Sequence, residues 1–481
     1  MKNKFIIITA VLFSLMLGTS CYAKEYVVKL NDSFTLFSVR DNQADKFITV
    51  DESEIRDYID AGIVEYYEPN ADGSLIEGVL SENTRQSTQE ITGVTNLWNH
   101  LNVKAQFPLY IGAHGTRVKI AVIDTGVNEY SCLKGKVLEG YNYHTGTTDV
   151  TDTDGHGTFV SSLIASSAHS FAYRSYIVPL KVFYDSGKKD ENGKPIQTVK
   201  SNDVAQAIRD AVDKFDCDVI NMSLTLNASY ENLNHVEEAI EYAIGKGAII
   251  VAAVGNEGTT KAYYPAAYEN VIGVGSVNEE NEHSLFSQTN SSVFVVAPGE
   301  DVLTSYGETD EEGNVLSRMI SGTSMSAPHV SALAAVAKCI KPSITNDEFM
   351  QLISSTAENL GDDNGYDEKF GHGIINCEKV VRELIKDRKI YISPVVVQDG
   401  YSAVWIYNNT SDNLSFRFLY TSDNHDTSLP VKTGQVPAEQ FAKEQRGFMN
   451  FPYDGGSVKY MAWDSFENLI PLAVSSEYIA Q

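Results

Sequence analysis

The sequence predicts an α/β protein. Its largest part is a doubly wound, mostly parallel sheet, preceded by a small α+β unit and followed by a β-sandwich-like domain. Three observations lead there. Between about residues 91 and 386, short apolar runs alternate with amphipathic segments, the mark of βαβ units. Around Asp387 the alternation gives way to short strand-like runs separated by turns. The 481 residues also exceed an ordinary domain of roughly 100–200.

The elements follow in order. Lys2 and Lys4 precede an apolar run over 5–17, then small residues up to Ala23. A basic start, an apolar stretch and a small residue before the cut predict a secretory signal peptide over 1–23. A cut before Cys21, leaving a lipid anchor there, is the alternative; Gly18 stands where such signals carry leucine, which favours free secretion. Residues 24–90 read as a small unit and linker: strands over 26–30 and 62–69, a helix over 52–59, and a polar, aperiodic linker over 81–90. In the 91–386 domain, apolar runs over 118–123, 176–182, 218–223, 248–253 and 271–274 fit strands covered on both faces. A helix is predicted over 201–215, with Val204, Ile208, Val212 and Phe215 on one face and Ser201 or Asn202 as its cap. In the 387–481 domain, strands are predicted over 391–397, 402–407, 414–419, 457–463 and 469–474.

Composition narrows the function. With 43% hydrophobic and 21% charged residues, the chain is globular. Lysine and arginine number 37 against 64 aspartates and glutamates, a net charge of −27. Such a chain does not bind nucleic acid or anionic lipid through bulk charge. Five cysteines are too few for a disulfide scaffold, and no C-x-x-C pair suggests a zinc ribbon. A disulfide among Cys132, Cys217, Cys339 and Cys377 stays open. Beyond the leader, no apolar run is long enough to span a membrane.

Three segments carry chemistry. Asp124 ends an apolar strand and is followed by Thr125-Gly126; alone it could be a turn residue. In Asp154-Gly-His-Gly-Thr158, glycines flank His156 at the start of an apolar helix, where they let the backbone bend and leave the imidazole uncovered. In Ser321-Gly-Thr-Ser-Met-Ser326, Ser324 enters a helix of small residues. It could be a cap, or a nucleophile aided by helix N-terminal amides. Asp152 and Asp154 sit close to His156 in sequence and either could tune it, but they read first as solvated loop carboxylates; His329 reads as a packed helix residue.

In this order, Asp124, His156 and Ser324 resemble the catalytic triad of the subtilisin-like serine proteases, the subtilases. Val254-Gly-Asn-Glu-Gly258 extends the resemblance, aligning Asn256 with that family's oxyanion-hole asparagine. The resemblance covers roughly 92–385. It implies a serine endopeptidase without a required cofactor, a peptide or protein substrate, and residues 24–80 as an inhibitory propeptide cut somewhere in 80–92. It also implies that Ser223, Leu224, Thr225 and Gly255 line the substrate site.

The chain departs from the family pattern in places. Phe159 replaces a second histidine, away from the catalytic position. The loop over 165–176 is short, which argues against the usual calcium site. Ca2+ stays possible at acidic loops such as 362–367, with no assignable ligands. Ser223-Leu-Thr-Leu226 replaces a glycine-rich segment, and Tyr263 falls near a glycine position at the pocket floor. A shallow primary pocket favouring small residues is therefore expected.

Overall fold

The computed structural model describes residues 25–30, 47–51, 55, 59, 64–75, 79–80, 97–190, 193–226, 233–309, 315–361, 365–422, 432–436, 441–453, 455, 457–463 and 471–475. The predicted leader, the 81–90 linker and most of the 52–59 helix lie outside them.

The chain divides into two compact units, residues 1–71 and 72–481. The first holds an antiparallel sheet of β1 (Glu25–Leu30), β2 (Phe47–Asp51) and β3 (Val64–Pro69), in the order β2-β1-β3. Val28, Leu30 and Val50 form its core, with Tyr26, Ile48, Val64 and Tyr67 packed around them.

The second unit begins earlier than a boundary at 90/91 predicts. β4 (Asp72–Leu75) and β5 (Val79–Leu80) already belong to it. After α1 (Trp98–Asn102) and α2 (Gln106–Ile111) come β6 (Lys119–Asp124), β7 (Tyr141–Asn142), α3 (His156–Ala165) and β8 (Tyr176–Lys181). A hairpin of β9 (Tyr184–Lys189) and β10 (Pro195–Lys200) follows, then α4 (Ser201–Asp213), β11 (Val219–Met222), β12 (Leu224–Leu226) and α5 (Asn234–Gly245). β13 (Ile249–Ala253), β14 (Ile272–Val277), β15 (Val295–Pro298), β16 (Val302–Thr309) and β17 (Val315–Ser321) lead to α6 (Thr323–Ile340), α7 (Asn346–Thr356) and α8 (Cys377–Ile385).

The central sheet runs β15-β14-β13-β11-β6-β8-β7, every pair parallel. Its middle strands are Val-, Ile- and Ala-rich and buried throughout, as helices on both faces require. α6 is rich in alanine and serine, including Ser331, Ala332, Ala334 and Ala335, and it is buried almost along its whole length. Small side chains let it lie close against the sheet. The predicted cap of α4 is not observed: Lys200 is the N-cap and its side chain makes no capping bond, while Ser201 Oγ pairs with His235 Nε2 at 3.1 Å.

Two small sheets flank the central one: β12-β4-β10-β9 and β16-β17-β5. Beyond α8, β18 (Ile390–Ile392), β19 (Val396–Gln398), β20 (Tyr401–Asn408), β21 (Phe416–Ser422), β22 (Lys432–Val436), β23 (Arg446–Pro452), β24 (Val458–Trp463) and β25 (Pro471–Val474) form two antiparallel sheets. Ile390, Val404, Ile406, Phe416, Val458 and Tyr460 share the core between them, a sandwich as predicted. The run over 391–397 is two strands rather than one, with Pro394 between them; proline cannot donate to a ladder.

This sandwich packs against the helical layer. The Arg446 guanidinium donates to Tyr110 O at 3.0 Å, and the His114 ring lies edge-on to Trp405 at 5.2 Å.

Candidate active site

Asp124 is the last residue of β6, at the carboxyl end of the parallel sheet, where open α/β folds place their sites. It is fully buried. One carboxylate oxygen, Oδ1, accepts from the Thr125 N–H at 2.7 Å and from His156 Nδ1–H at 2.8 Å. His156 opens α3. The residue after it must be glycine, because a Cβ on Gly157 would stand 2.2 Å from Gly126 O and 3.1 Å from Asp124 Cβ. That absence lets the first turn of α3 settle onto the end of β6.

The expectation of solvated carboxylates at Asp152 and Asp154 fails. Asp152 is buried. Its Oδ1 accepts from Thr125 Oγ1 (2.9 Å), Asp154 N (3.1 Å) and Gly155 N (2.8 Å); its Oδ2 accepts from Thr158 N (2.9 Å) and Thr158 Oγ1 (2.7 Å). A helix start leaves backbone N–H groups without intrahelical partners, and Asp152 supplies an acceptor. Thr125 Oγ1 also accepts from Gly157 N at 2.9 Å. Asp152 thus ties the turn after Asp124 to the helix that carries His156. The Asp154 carboxylate is 6% exposed and pairs with Lys194 Nζ at 2.9 Å.

Burial pushes the His156 pKa down, while the charge and hydrogen bond of Asp124 push it up, followed by the charges of Asp154 and Asp152. The acidic neighbours prevail, and the imidazole sits above its ordinary value. Its other nitrogen, Nε2, is buried and has no hydrogen-bond partner among the described residues.

Ser324 is the second residue of α6, which packs beside α3. Four residues on, Pro328 has no N–H to give the Ser324 carbonyl. That carbonyl accepts instead from Ser223 Oγ at 3.2 Å. Asn221 Nδ2 donates to Ser223 Oγ (3.1 Å), and Ser331 Oγ donates to Asn221 Oδ1 (2.8 Å). This buried chain fixes β11 and the start of β12 to α6. His329, packed as expected, accepts from Asn99 Nδ2 through Nε2 at 2.8 Å and donates from Nδ1 to Met325 O at 2.8 Å.

Asn256 follows β13. Its Oδ1 accepts from Thr323 N (2.8 Å) and Thr323 Oγ1 (2.9 Å). With Oδ1 committed, the donating end of the amide is Nδ2.

The expected substrate residues cluster nearby. Leu224 and Thr225 lie on β12, paired with Leu75 and Ser74 of β4. Thr225, Gly255, Asn256, Tyr263, Ser74 and Leu75 border a cavity of about 320 Å³. The Tyr263 ring lies against Gly255, where a Cβ would be 3.0 Å from Cδ2, and Lys261 Nζ stands 4.7 Å from its centroid.

Sequence reasoning missed β4, β10 and the role of Asp152. β4 reads Asp-Gly-Ser-Leu, a turn-like string with no strand pattern. Among the described residues, no group of three or more His, Cys, Asp or Glu is arranged to hold a metal. Part of the 362–367 loop lies outside them. Cys132, Cys217, Cys339 and Cys377 are free thiols, so the open disulfide does not form among them. No described helix is long and apolar enough to cross a membrane.

Comparison with known proteins bears on this geometry. The family model described as the subtilase family matches residues 115–373. A thermophilic serine proteinase of Bacillus sp. (strain AK1) is 36% identical over 264 residues, 55% of this chain and 61% of that protein. Subtilisin BL of Lederbergia lenta is 31% identical over 286 residues, 59% of this chain and 98% of that protein. The minor extracellular protease Epr of Bacillus subtilis (strain 168) is 29% identical over 336 residues, 68% of this chain and 48% of that protein. The crystal structure of fervidolysin from Fervidobacterium pennivorans superposes with a TM-score of 0.63 at 20% identity, covering 91% of this chain and 70% of that one. That likeness concerns the fold, and it extends beyond the segment matched by the family model.

Proposed function

The chain belongs to the subtilase family of serine endopeptidases, and on that premise we propose that it is a secreted peptidase, made as a zymogen, that works through Asp124, His156 and Ser324. The observation that carries this reading is the 2.8 Å Asp124–His156 bond, with the opposite ring nitrogen without a partner among the described residues, beside the helix that carries Ser324 in its first turn.

In the proposed reaction, Ser324 Oγ attacks the peptide carbonyl and its proton passes to His156 Nε2. Asp124 holds the proton on Nδ1 and stabilises the imidazolium. The carbonyl oxygen becomes an oxyanion between Asn256 Nδ2 and the Ser324 backbone N–H, a site preorganised by Thr323. His156 then gives its proton to the leaving amine as the C–N bond breaks. Water repeats the sequence to release the acyl group. Ser223, Leu224, Thr225 and Gly255 form the wall along which substrate lies, and the Tyr263 ring keeps the cavity small.

Secretion is supported by the basic, apolar and small-residue order of residues 1–23, which favours a free secreted form over an anchor at Cys21. Zymogen status is supported by the chain's own residues in the cleft. β4 lies antiparallel between β12 and β10, and β5 pairs with Ile320 and Ser321, three residues before Ser324. A strand added this way is how peptide-binding edges take ligands. We place the processing cut between Leu75 and Val79 rather than in 80–92. Intact-mass analysis of the purified protein beside Ser324→Ala tests this. Self-processing in the wild type alone, with fluorophosphonate labelling of Ser324, supports the reading. Absence of labelling in processed protein overturns it in favour of a fold kept for binding only.

A further inference from the structure

We propose that the cleft between β10 and β12 selects glycine at the substrate position that pairs with both Val199 and Leu226; this rests on the peptidase reading above. In the chain itself that position is Gly73. A Cβ added there would stand 2.7 Å from Thr225 O, 2.7 Å from Val199 Cγ1 and 3.0 Å from Leu226 Cδ2. Real Cβ atoms do not approach backbone oxygen that closely, so a side chain must part the two strands or displace two packed residues.

The cause is space rather than backbone conformation. Gly73 lacks the left-handed φ that would itself demand glycine, and any residue could adopt its backbone. Val199 and Leu226 are both fully buried, so neither has solvent to swing into. Thr225 O belongs to the strand that is anchored through Ser223 to the Ser324 carbonyl. The obstruction therefore belongs to the cleft, and it meets any peptide that takes the same register.

The neighbouring positions are less strict. Asp72 pairs with Lys200 Nζ at 2.8 Å at the surface. Ser74 Oγ lies 3.2 Å from Thr225 Oγ1, a contact that a small hydroxyl side chain satisfies. Leu75 is buried opposite Leu224. The ligand class is an extended peptide with glycine two residues before the residue opposite Leu224, of which Asp-Gly-Ser-Leu is the chain's own example.

Two measurements test this, and the first needs no catalysis. In full-length Ser324→Ala protein, amide exchange of residues 72–75 is compared with and without Gly73→Leu, using the central sheet as the folding control. At least ten-fold faster exchange in β4, with the sheet unchanged, is expected; unchanged β4 protection overturns the proposal. The second uses the processed enzyme and quenched peptides built on residues 71–80. Replacing the glycine that corresponds to Gly73 by alanine should lower kcat/KM at least ten-fold, and by leucine further. Cleavage of either variant within two-fold of the parent peptide overturns the proposal. If no peptide is cut and no fluorophosphonate bound, the peptidase reading fails, while the exchange result still decides the glycine site.

Discussion

Two regions of this molecule bury a histidine equally well and surround it in opposite ways. His156, at the carboxyl end of β6, is 5% exposed; His114, where the helical layer meets the sandwich, is 3% exposed. Burial pushes both toward the neutral form. At His156 the Asp124 carboxylate reverses that push. At His114 the surroundings are Tyr173, Trp405 and the cations Arg174 and Arg446, with only the Leu109 carbonyl pulling upward, and the pKa falls to about 4. A carboxylate accompanies the buried imidazole of His156; none among the described residues accompanies that of His114, and burial holds that ring toward the neutral form.

The largest effect should come from erasing that difference. Asp124→Asn leaves the shape but removes the charge and the tautomer control, and kcat should fall by about 10⁴-fold. Active-site titration of the folded variant checks it, and a loss below ten-fold would contradict the assignment. Asn256→Ala acts on the oxyanion and not on the histidine. It should cost about 10²–10³ in kcat, roughly 3–4 kcal/mol, with the pH profile unmoved.

The second region should show itself in acid stability. Because His114 binds its proton less readily folded than unfolded, it costs nothing above pH 6.5. It destabilises the fold progressively as pH falls from 6.5 to about 4, by about 3 kcal/mol at the end of that window. His169 and His329, also lowered by burial, to about 4 and about 3, add to the same trend. Thermal melts of His114→Phe should lose less stability across this window than the parent; an identical slope would exclude His114 as a contributor. The smallest effect is electrostatic. Asp154 helps raise His156, which in the proposed reaction must be neutral to accept the Ser324 proton. Activity should therefore fade as pH drops through a value above 6.5. Asp154→Asn should move that acid limb of kcat/KM to lower pH, and a shift to higher pH would refute the coupling.

The difference between these regions also explains what the sequence made legible. Asp124, His156 and Ser324 stood out because each needs glycines or small residues beside it, and close backbone approach leaves that trace. The central strands were readable because burial on both faces demands unbroken apolar runs. Asp152 was not: a carboxylate that accepts five hydrogen bonds reads, in one dimension, like any loop aspartate. β4 was hidden for a related reason. Asp-Gly-Ser-Leu becomes a strand only because β10 and β12 offer it hydrogen bonds on both edges, so its structure comes from its neighbours. The β9–β10 hairpin, polar and largely exposed, carries no core pattern to detect.

The order β12-β4-β10 has a mechanical consequence. Adjacent strands lie about 4.8 Å apart, so the walls β10 and β12 are separated by roughly 10 Å, one strand's room with bonds on either side. A helix, about 10–12 Å across with its side chains, does not fit, and neither does a strand still paired in its own sheet. If β4 leaves on processing, as proposed above, the slot admits only a lone, stretched backbone. For a folded target the rate would then follow how often a segment as long as residues 72–80 peels away from its own structure, which makes local unfolding of the target a gate on proteolysis.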